Sequence, residues 1–254
     1  MKIILCSPTK KRAVYACSRM ESTNFAIALL GGLIPALFWL WFWLREDKER
    51  PEPYLLIALA FIGGMMVVPL ALPLQKLAID SYSDNNLVLV WVVIEEVLKY
   101  AIALIMILWN KAVDEPIDVL IYMVTIALGF ASLENALYLF NPITNGDFAN
   151  GVVTGFFRFV GSTLLHVLAS GTVGAFLALV FFKSPIQKLV FGTLGLFVAI
   201  VLHALFNFFI MDGSGETIIG VFLFVWMGII VLFLIFEKVK ILEARHNSSQ
   251  QYTS

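Results

Sequence analysis

Long apolar segments separated by short polar connections dominate the chain. The seven segments are Phe25–Leu44, Tyr54–Leu74, Leu87–Trp109, Ile117–Phe140, Phe159–Phe182, Lys188–Ile210 and Thr217–Phe236. Each is near the roughly 20 residues that an α-helix needs to cross a bilayer. Short connections force neighbouring segments to run antiparallel. The pattern predicts an all-α fold, a polytopic transmembrane bundle of about seven spans.

The fifth apolar segment is longer than one crossing requires. Gly151 to Phe182 would extend about 48 Å as a single helix at 1.5 Å per residue. Arg158 and Gly161 interrupt the apolar run near its start. We therefore expect residues 151–158 to lie at the interface, with Arg158 as an anchor and the span beginning near Phe159. One long tilted helix is the alternative.

Composition supports a membrane protein and excludes some other classes. Hydrophobic residues make up 60% of the chain and charged residues only 14%, whereas soluble domains carry about 25% charged residues. A net charge of -1 offers no basic surface for nucleic acid. Cys6 and Cys17 precede the first apolar segment and form neither a disulfide framework nor a metal motif.

Basic residues in the short loops predict the orientation of the bundle. Only Lys76 and Arg158 lie on the side opposite to the C terminus. The side that includes the C-terminal tail carries Arg45, Lys48, Arg50, Lys111, Lys183, Lys188, Lys238, Lys240 and Arg245. We expect this second side to be cytoplasmic, so that the first span begins outside and the C terminus lies inside.

The start of the chain conflicts with this orientation. Residues 1–19 lack the apolar core of a signal peptide. They carry Lys2, Lys10, Lys11, Arg12 and Arg19, which should remain in the cytoplasm. We interpret residues 1–19 as a non-native or disordered extension and Met20 as the native start. Residues 20–240 then form one transmembrane catalytic domain, and residues 241–254 form a cytoplasmic polar tail.

A small set of polar side chains interrupts four of the spans. The set is Glu95, Glu96 and Lys99 in span three, Glu134 and Asn135 in span four, His166 in span five, and His203 and Asn207 in span six. A charge in mid-membrane costs about 2.5–3.5 kcal/mol on insertion scales, so such groups usually have a partner or a function. Counted from the predicted span ends, one group from each span lies about 9–12 Å below the outer face. This shared depth predicts a single site.

Spacing within the third span indicates how its charges are arranged. Glu95 and Lys99 are four residues apart, so they share a helix face and can pair. Glu96 is rotated by about 100° and should point elsewhere. A purely structural ion pair is the alternative for Glu95 and Lys99, although it leaves Glu96 unexplained.

The histidines and the fourth-span glutamate also have structural alternatives. His203 and Asn207 are four residues apart, so their side chains can contact the same group. We interpret this pair as functional. Glu134 is either a catalytic carboxylate or a structural partner for a histidine or Lys99. His166 alone is the weakest signal, because many histidines are ordinary core residues.

The ordered motifs resemble a known family. They read Glu95-Glu96-x-x-Lys99, Phe130-x-x-x-Glu134-Asn135, His166 and His203-x-x-x-Asn207. This set is similar to the PrsW family of intramembrane proteases, which is related to the type II CAAX prenyl endopeptidases of the ABI superfamily. The segments IPALFWLWFWLREDKERPEP, FIGGMMVVP and LGFASLENALYLF resemble the family as well. Asn207 stands where the family often has aspartate, so it suits a hydrogen-bond donor better than a ligand carboxylate.

The resemblance implies an intramembrane endopeptidase of bacterial signalling. It implies that the chain lies in the cell membrane and cuts single-span membrane proteins, such as anti-sigma factors. The outer depth of the site suggests cutting near the extracytoplasmic side. A proton- or ion-coupled transporter is the main rival, because intramembrane Glu, Lys and His also mark proton relays. No internal repeat supports a transporter, and a non-catalytic membrane scaffold is the third alternative.

Peptide hydrolysis suggests a role for each polar residue. It needs an activated water, an oxyanion stabiliser and a proton donor to the leaving amine. We expect Glu95, oriented by Lys99, to activate water together with Glu134. His203 and Asn207 are expected to stabilise the oxyanion, and Glu96 to relay protons. His166 would protonate the leaving amine or position the substrate, and Asn135 would support the other residues.

The sequence leaves open whether the protein depends on a metal ion. The chain contains no HExxH-type spacing, and we favour a metal-free glutamate mechanism that needs no cofactor. Zinc is the alternative, because glutamate and histidine are among its usual ligands. In that case Glu95, Glu134 and His203 are the expected ligands.

Overall fold

The computed structural model describes residues 11–46 and 50–251. The described residues contain no β-strand, which confirms the all-α fold. A π-helical turn, Arg158–Ser162, joins α5 to α6. The helices are α1 Lys11–Leu44, α2 Tyr54–Ile79, α3 Asp84–Met106, α4 Pro116–Thr144, α5 Phe148–Phe157, α6 Thr163–Leu179, α7 Pro185–Asp212 and α8 Gly215–Gln251.

Six described helical segments are long and apolar enough to cross a membrane, which confirms a multi-pass membrane protein. They are Ser22–Leu44, Tyr54–Ile79, Pro116–Thr144, Phe148–Leu179, Pro185–Met211 and Gly215–His246. Helix α3 corresponds to the remaining predicted span. It is 23 residues long, enough for a crossing, but it carries the charges of the third-span motif. The inside or outside location of the termini stays a prediction.

The fifth predicted span is one nearly continuous helical rod. Helix α5, the π-helical turn and α6 together cover 32 residues, Phe148–Leu179. The break expected near Arg158 therefore takes the form of a π-helical turn, in which the chain stays helical. This arrangement agrees with the long-helix alternative. Gly151 packs near Pro142 and Ile143, so the rod runs back along α4.

Helix α4 forms the centre of the bundle. Every residue from Pro116 to Ser132 is buried, and α1, α2 and α6 surround it. Close approach of the backbones requires glycine at two positions. A Cβ atom at Gly64 would lie 2.0 Å from the carbonyl oxygen of Ile126, and one at Gly129 would lie 2.0 Å from that of Phe61. The α2–α4 contact is therefore tight, and it holds the polar end of α4 in place.

The limits of the domain stay a prediction. Residues 1–10 of the predicted extension lie outside the described residues, while Lys11–Arg19 continue α1 without a break. At the other end, α8 remains helical through most of the predicted polar tail. We call the end of the bundle that holds the connections 80–83, 145–147 and 213–214 the outer end, following the predicted orientation.

Candidate active site

Lys99 organises the charges of α3. Its side chain is fully buried, and its Nζ donates to Glu96 Oε1 at 2.7 Å and to His166 Nδ1 at 3.0 Å. The same ammonium lies 4.2 Å from the centre of the Phe130 ring. The predicted pairing of Lys99 with Glu95 is therefore wrong. Residues three apart also share a helix face, and contact with His166 favours the Glu96 side.

His203 of α7 reaches both glutamates of α3. Its Nδ1 lies 2.7 Å from Glu96 Oε1, and its Nε2 lies 3.9 Å from Glu95 Oε2. Glu96 was expected to point elsewhere than Glu95 and Lys99, but it contacts Lys99 as well as His203. An ionised carboxylate only accepts hydrogen bonds, so His203 carries its proton on Nδ1 and presents the Nε2 lone pair towards Glu95.

His166 of α6 connects Lys99 with Glu134 of α4. Its Nε2 lies 3.0 Å from Glu134 Oε2. An ammonium only donates, so Nδ1 accepts from Lys99 and Nε2 bears the proton that is donated to Glu134. The two imidazole rings are nearly perpendicular, with His166 and His203 centroids 5.0 Å apart. One continuous hydrogen-bonded cluster thus joins five residues from four helices, Glu96, Lys99, Glu134, His166 and His203, and Glu95 lies beside it at 3.9 Å from His203.

Arg158 contacts the residues of the candidate site, which its predicted role as an interfacial anchor did not include. Its Nη2 forms an ion pair with Glu134, and its Nε donates to Asn135 Oδ1 at 2.5 Å. The guanidinium carbon lies 3.8 Å from the centre of the Tyr138 ring. Arg158 begins the π-helical turn, a feature that often occurs at functional sites. The feature of the sequence that could have indicated this contact is the charged residue inside the fifth apolar segment.

Helix α2 contributes a residue that sequence reasoning missed. Gln75 Nε2 donates to Glu95 Oε1 at 2.8 Å. Trp91, one turn before Glu95, donates from its indole Nε1 to the carbonyl oxygen of Gln75 at 3.1 Å. A glutamine near a helix end resembles an ordinary interfacial residue, so the sequence offered no signal for this contact.

The two asparagines of the motifs differ in their surroundings. Asn135 is buried, donates to Thr163 Oγ1 at 2.9 Å and accepts from Arg158, so it ties α4 to the rod. Asn207 is half-buried and lines the cavity next to His203. Within the described part of the chain, no hydrogen bond joins Asn207 to the other motif residues. Its amide therefore faces the cavity.

Two cavities meet at the glutamates. The histidine cavity, about 510 Å³, is bounded by α3, α4, the rod, α7 and α8, and it contains both His166 and His203. The α2 groove, about 560 Å³, is bounded by α2, α3 and α4. The two share Trp91, Glu95, Glu134 and Tyr138. Molecules can therefore approach the carboxylates from two directions.

The donor set fits a metal ion. One ligand atom each from Glu95, His166 and His203 lies within 4.8 Å of the others, and all three residues are buried. Glu95 Oε2 is one of three buried side-chain atoms of the described residues without a hydrogen-bond partner, together with Trp43 Nε1 and Ser170 Oγ. Compared with the predicted ligand set, His166 takes the place of Glu134. Glutamate and histidine at this separation suit zinc.

Known proteins resemble this chain over most of its length. The profile of the PrsW family intramembrane metalloproteases matches residues 52–235. A Protease PrsW of Oceanobacillus iheyensis is 26% identical over 208 residues, covering 81% of this chain and 93% of the relative. Those of Bacillus subtilis and Clostridioides difficile are 26% and 28% identical, covering 72% and 70% of this chain and 82% and 77% of the relatives. No solved structure matches.

The family assignment agrees with the motif resemblance and with the fold. The matched range contains α2 to α7 and therefore every polar residue of the site. The family is proteolytic and described as metal-dependent, so the protease interpretation replaces the transporter and scaffold alternatives. With its multi-pass helical bundle and the family match across most of its spans, this chain belongs to the PrsW family of intramembrane metalloproteases.

Proposed function

We propose that this intramembrane protease cleaves single-span membrane proteins at their outer juxtamembrane region, with Glu95, Glu134, His166 and His203 at the centre of its active site. One observation carries the proposal. Four helices bring these side chains together at the meeting point of two cavities, and one carboxylate oxygen is left without a partner. Burying such groups is costly unless they are paired or used.

Glu95, His166 and His203 are the residues that would hold zinc. Glu95 Oε2 and His203 Nε2 are already free of hydrogen bonds within the described residues. His166 would join them as a neutral imidazole in its other tautomer, with the proton on Nδ1 and the Nε2 lone pair free, and Lys99 would then no longer donate to Nδ1. Zinc, when bound, supplies Lewis-acid activation of water and of the substrate carbonyl. The cluster and the family description thus favour the zinc alternative over the metal-free mechanism that we first preferred.

Glu134 is the proposed general base. Its contacts with Arg158 and His166 both use Oε2, which leaves Oε1 to accept a proton. Glu134 takes the proton of the attacking water and returns it to the nitrogen of the leaving amine. The water oxygen becomes bonded to the carbonyl carbon, and the carbon–nitrogen bond breaks. Both cavities border Glu134, so water and peptide can reach it.

Glu96 and Lys99 support the histidines rather than contact the substrate. Glu96 holds the Nδ1 proton of His203, and this type of carboxylate–histidine contact fixes the ring and its tautomer. Lys99 neutralises Glu96 inside the bundle at 2.7 Å. The relay role that we expected for Glu96 therefore becomes a positioning role.

Arg158 and Asn207 are the residues best placed to stabilise the oxyanion. His203 was the expected donor, but its single proton is engaged by Glu96, so Nε2 has none to donate. Arg158 is a permanent cation that lines the histidine cavity, and the Asn207 amide faces the same space. Preorganised donors of this kind contribute about 10²–10³ in rate.

Single-span substrates suit the position of the site. The cluster lies in the outer half of the predicted spans, and the histidine cavity has an apolar rim that includes Ile218 and Phe222 of α8. A peptide bond just outside a transmembrane helix can reach such a site. Anti-sigma factors are the proposed physiological examples, on the family resemblance alone.

The proposal is tested with the full chain purified in detergent. Metal content is measured first, and single-span proteins are then incubated with the enzyme with and without a chelator. We expect about one zinc per chain, cleavage near the outer juxtamembrane region, and loss of cleavage with chelator that zinc restores. Cleavage by a Glu95→Gln/Glu134→Gln double variant at the wild-type rate would overturn the assigned site.

A further inference from the structure

The α2 groove is larger than water entry requires. Its volume of about 560 Å³ matches that of the histidine cavity, and a water molecule occupies only about 30 Å³. The wall is a mixture of apolar side chains, among them Leu72 and Leu137, and polar ones, among them Gln75 and Asn141. A mixed lining of this size suits several residues of a peptide.

The α2 groove and the histidine cavity adjoin between α3 and α4, and we call this boundary the gap. Trp91 lies one turn from Glu95 on α3, and Tyr138 lies one turn from Glu134 on α4. Because α3 and α4 run antiparallel, both rings lie on the outer side of the carboxylates. All four residues line both cavities. An extended chain that crosses this gap would pass directly over Glu95 and Glu134.

The two sides of the gap differ in chemistry. Apart from His203 and Asn207, the wall of the histidine cavity towards α7 and α8 is apolar and includes Phe206, Ile210 and Phe222. The α2 groove instead includes the cation Lys76 near the outer end of α2. Lys76 is exposed, and none of the described carboxylates lies within ion-pairing distance of it. An acidic group from outside the chain could therefore pair with it.

We propose that the α2 groove is a substrate subsite for the residues on one side of the scissile bond, and that Lys76 selects an acidic side chain there. The apolar residues on the other side of the bond occupy the histidine cavity. This inference rests on the proposed function, because it assigns a place to the substrate of that same site. The competing interpretation is that the groove only admits water.

The test uses the full chain reconstituted in proteoliposomes and a defined peptide pool. Each peptide has an apolar segment of about 20 residues, long enough to span the bilayer, and a randomised outer juxtamembrane segment. Mass spectrometry of the products gives the residue preference on each side of every cut. The variants are Lys76→Glu, Lys76→Gln and Leu72→Trp, which alter the charge or fill the groove.

Leu70→Trp is the matched control. Leu70 and Leu72 are 47% and 49% exposed on the same helix, but only Leu72 lines the groove. We expect the wild type to favour an acidic residue at one position beside the cut. Lys76→Glu should reduce this preference about fivefold and favour a basic residue, since exposed ion pairs contribute modestly. Leu72→Trp should exclude large residues on that same side, and Leu70→Trp should match the wild type.

The outcomes separate the subsite from the function itself. An unchanged preference in Lys76→Glu and Leu72→Trp, whether or not cleavage slows, would overturn the subsite and leave the groove as a water path. A pool that the wild type does not cut at all would count against the proposed function. Changed preference on both sides of the cut would also contradict the assignment, because the groove then would not serve one side alone.

Discussion

Two polar clusters with buried carboxylates lie towards opposite ends of the bundle, and they differ in how completely their polar atoms are paired. The loop cluster consists of Arg50, Glu52, Glu115, Asp118 and Tyr122. Arg50 pairs with Glu115, Tyr122 donates to Glu52, and Asp118 accepts from the backbone N–H of Glu115 at 2.7 Å. None of the buried side-chain oxygens in this described cluster lacks a partner.

The candidate active-site cluster consists of Glu95, Glu96, Lys99, Glu134, Arg158, His166 and His203. It leaves Glu95 Oε2 without a hydrogen-bond partner and borders two cavities. Burial of charge is therefore not what distinguishes a site in this protein, because both clusters contain buried carboxylates. What distinguishes it is unused hydrogen-bonding or ligand capacity next to space for a reactant. The loop cluster caps α4 through Asp118 and holds the connections together, which is a structural role.

The largest expected effect is on Glu95. Glu95→Gln removes the charge and a ligand oxygen while keeping the contact with Gln75, so cleavage should fall by more than about 1,000-fold. The rate of cutting of a single-span peptide measures this. The melting temperature should remain close to that of the wild type. A Glu95→Gln protein that cuts the peptide at the wild-type rate would show that the candidate active-site cluster is no more important for cleavage than the loop cluster.

Arg158→Gln should have the next largest effect. Loss of the cation removes the partner of Glu134 and the proposed oxyanion donor, so kcat should fall by about 100-fold. Arg158→Lys keeps the charge but not the planar geometry, and should recover only part of the rate. If Arg158 were merely an anchor at the membrane interface, Lys would restore full activity.

Gln75→Leu should weaken zinc binding by about tenfold, because contacts that orient a ligand typically contribute 10- to 100-fold in affinity. The measurement is competition with a chromophoric chelator in detergent. Lys76→Gln on the neighbouring position is the control and should bind zinc like the wild type. Equal affinity in Gln75→Leu would show that α2 does not position Glu95.

A substitution in the loop cluster should have the smallest effect on activity. Glu115→Gln leaves Arg50 without its carboxylate and should lower the melting temperature only slightly, since Arg50 is largely exposed. The rate of cleavage per folded molecule should not change. A loss of activity comparable to that of Glu95→Gln would remove the distinction between the clusters.

Helix number and the meeting of four spans could be predicted from the sequence. The lengths of the apolar segments determine the spans. Polar groups at matching depths on helices joined by short loops avoid lipid by facing one another. Glu95, Glu134, His166 and His203 accordingly lie together. Their catalytic roles remain a proposal.

The detailed contacts depend on packing that local sequence does not carry. Lys99 has Glu96 three residues away and Glu95 four residues away, and both spacings are favourable on a helix. The choice of Glu96 depends on where α6 places His166. Likewise, Gln75 and Arg158 reach the site only because α2 and the rod pack against α3 and α4, so spacing within a single helix could not reveal them.

The π-helical turn carries a consequence for insertions and deletions in this chain. Such a turn is commonly one residue added to an α-helix, which changes the helical phase between the residues before it and those after it. Removing one residue from the segment 159–162 would rotate Arg158 by about 100° relative to His166. The two groups that now hold Glu134 would then face different directions, although every side chain named in the mechanism would still be present.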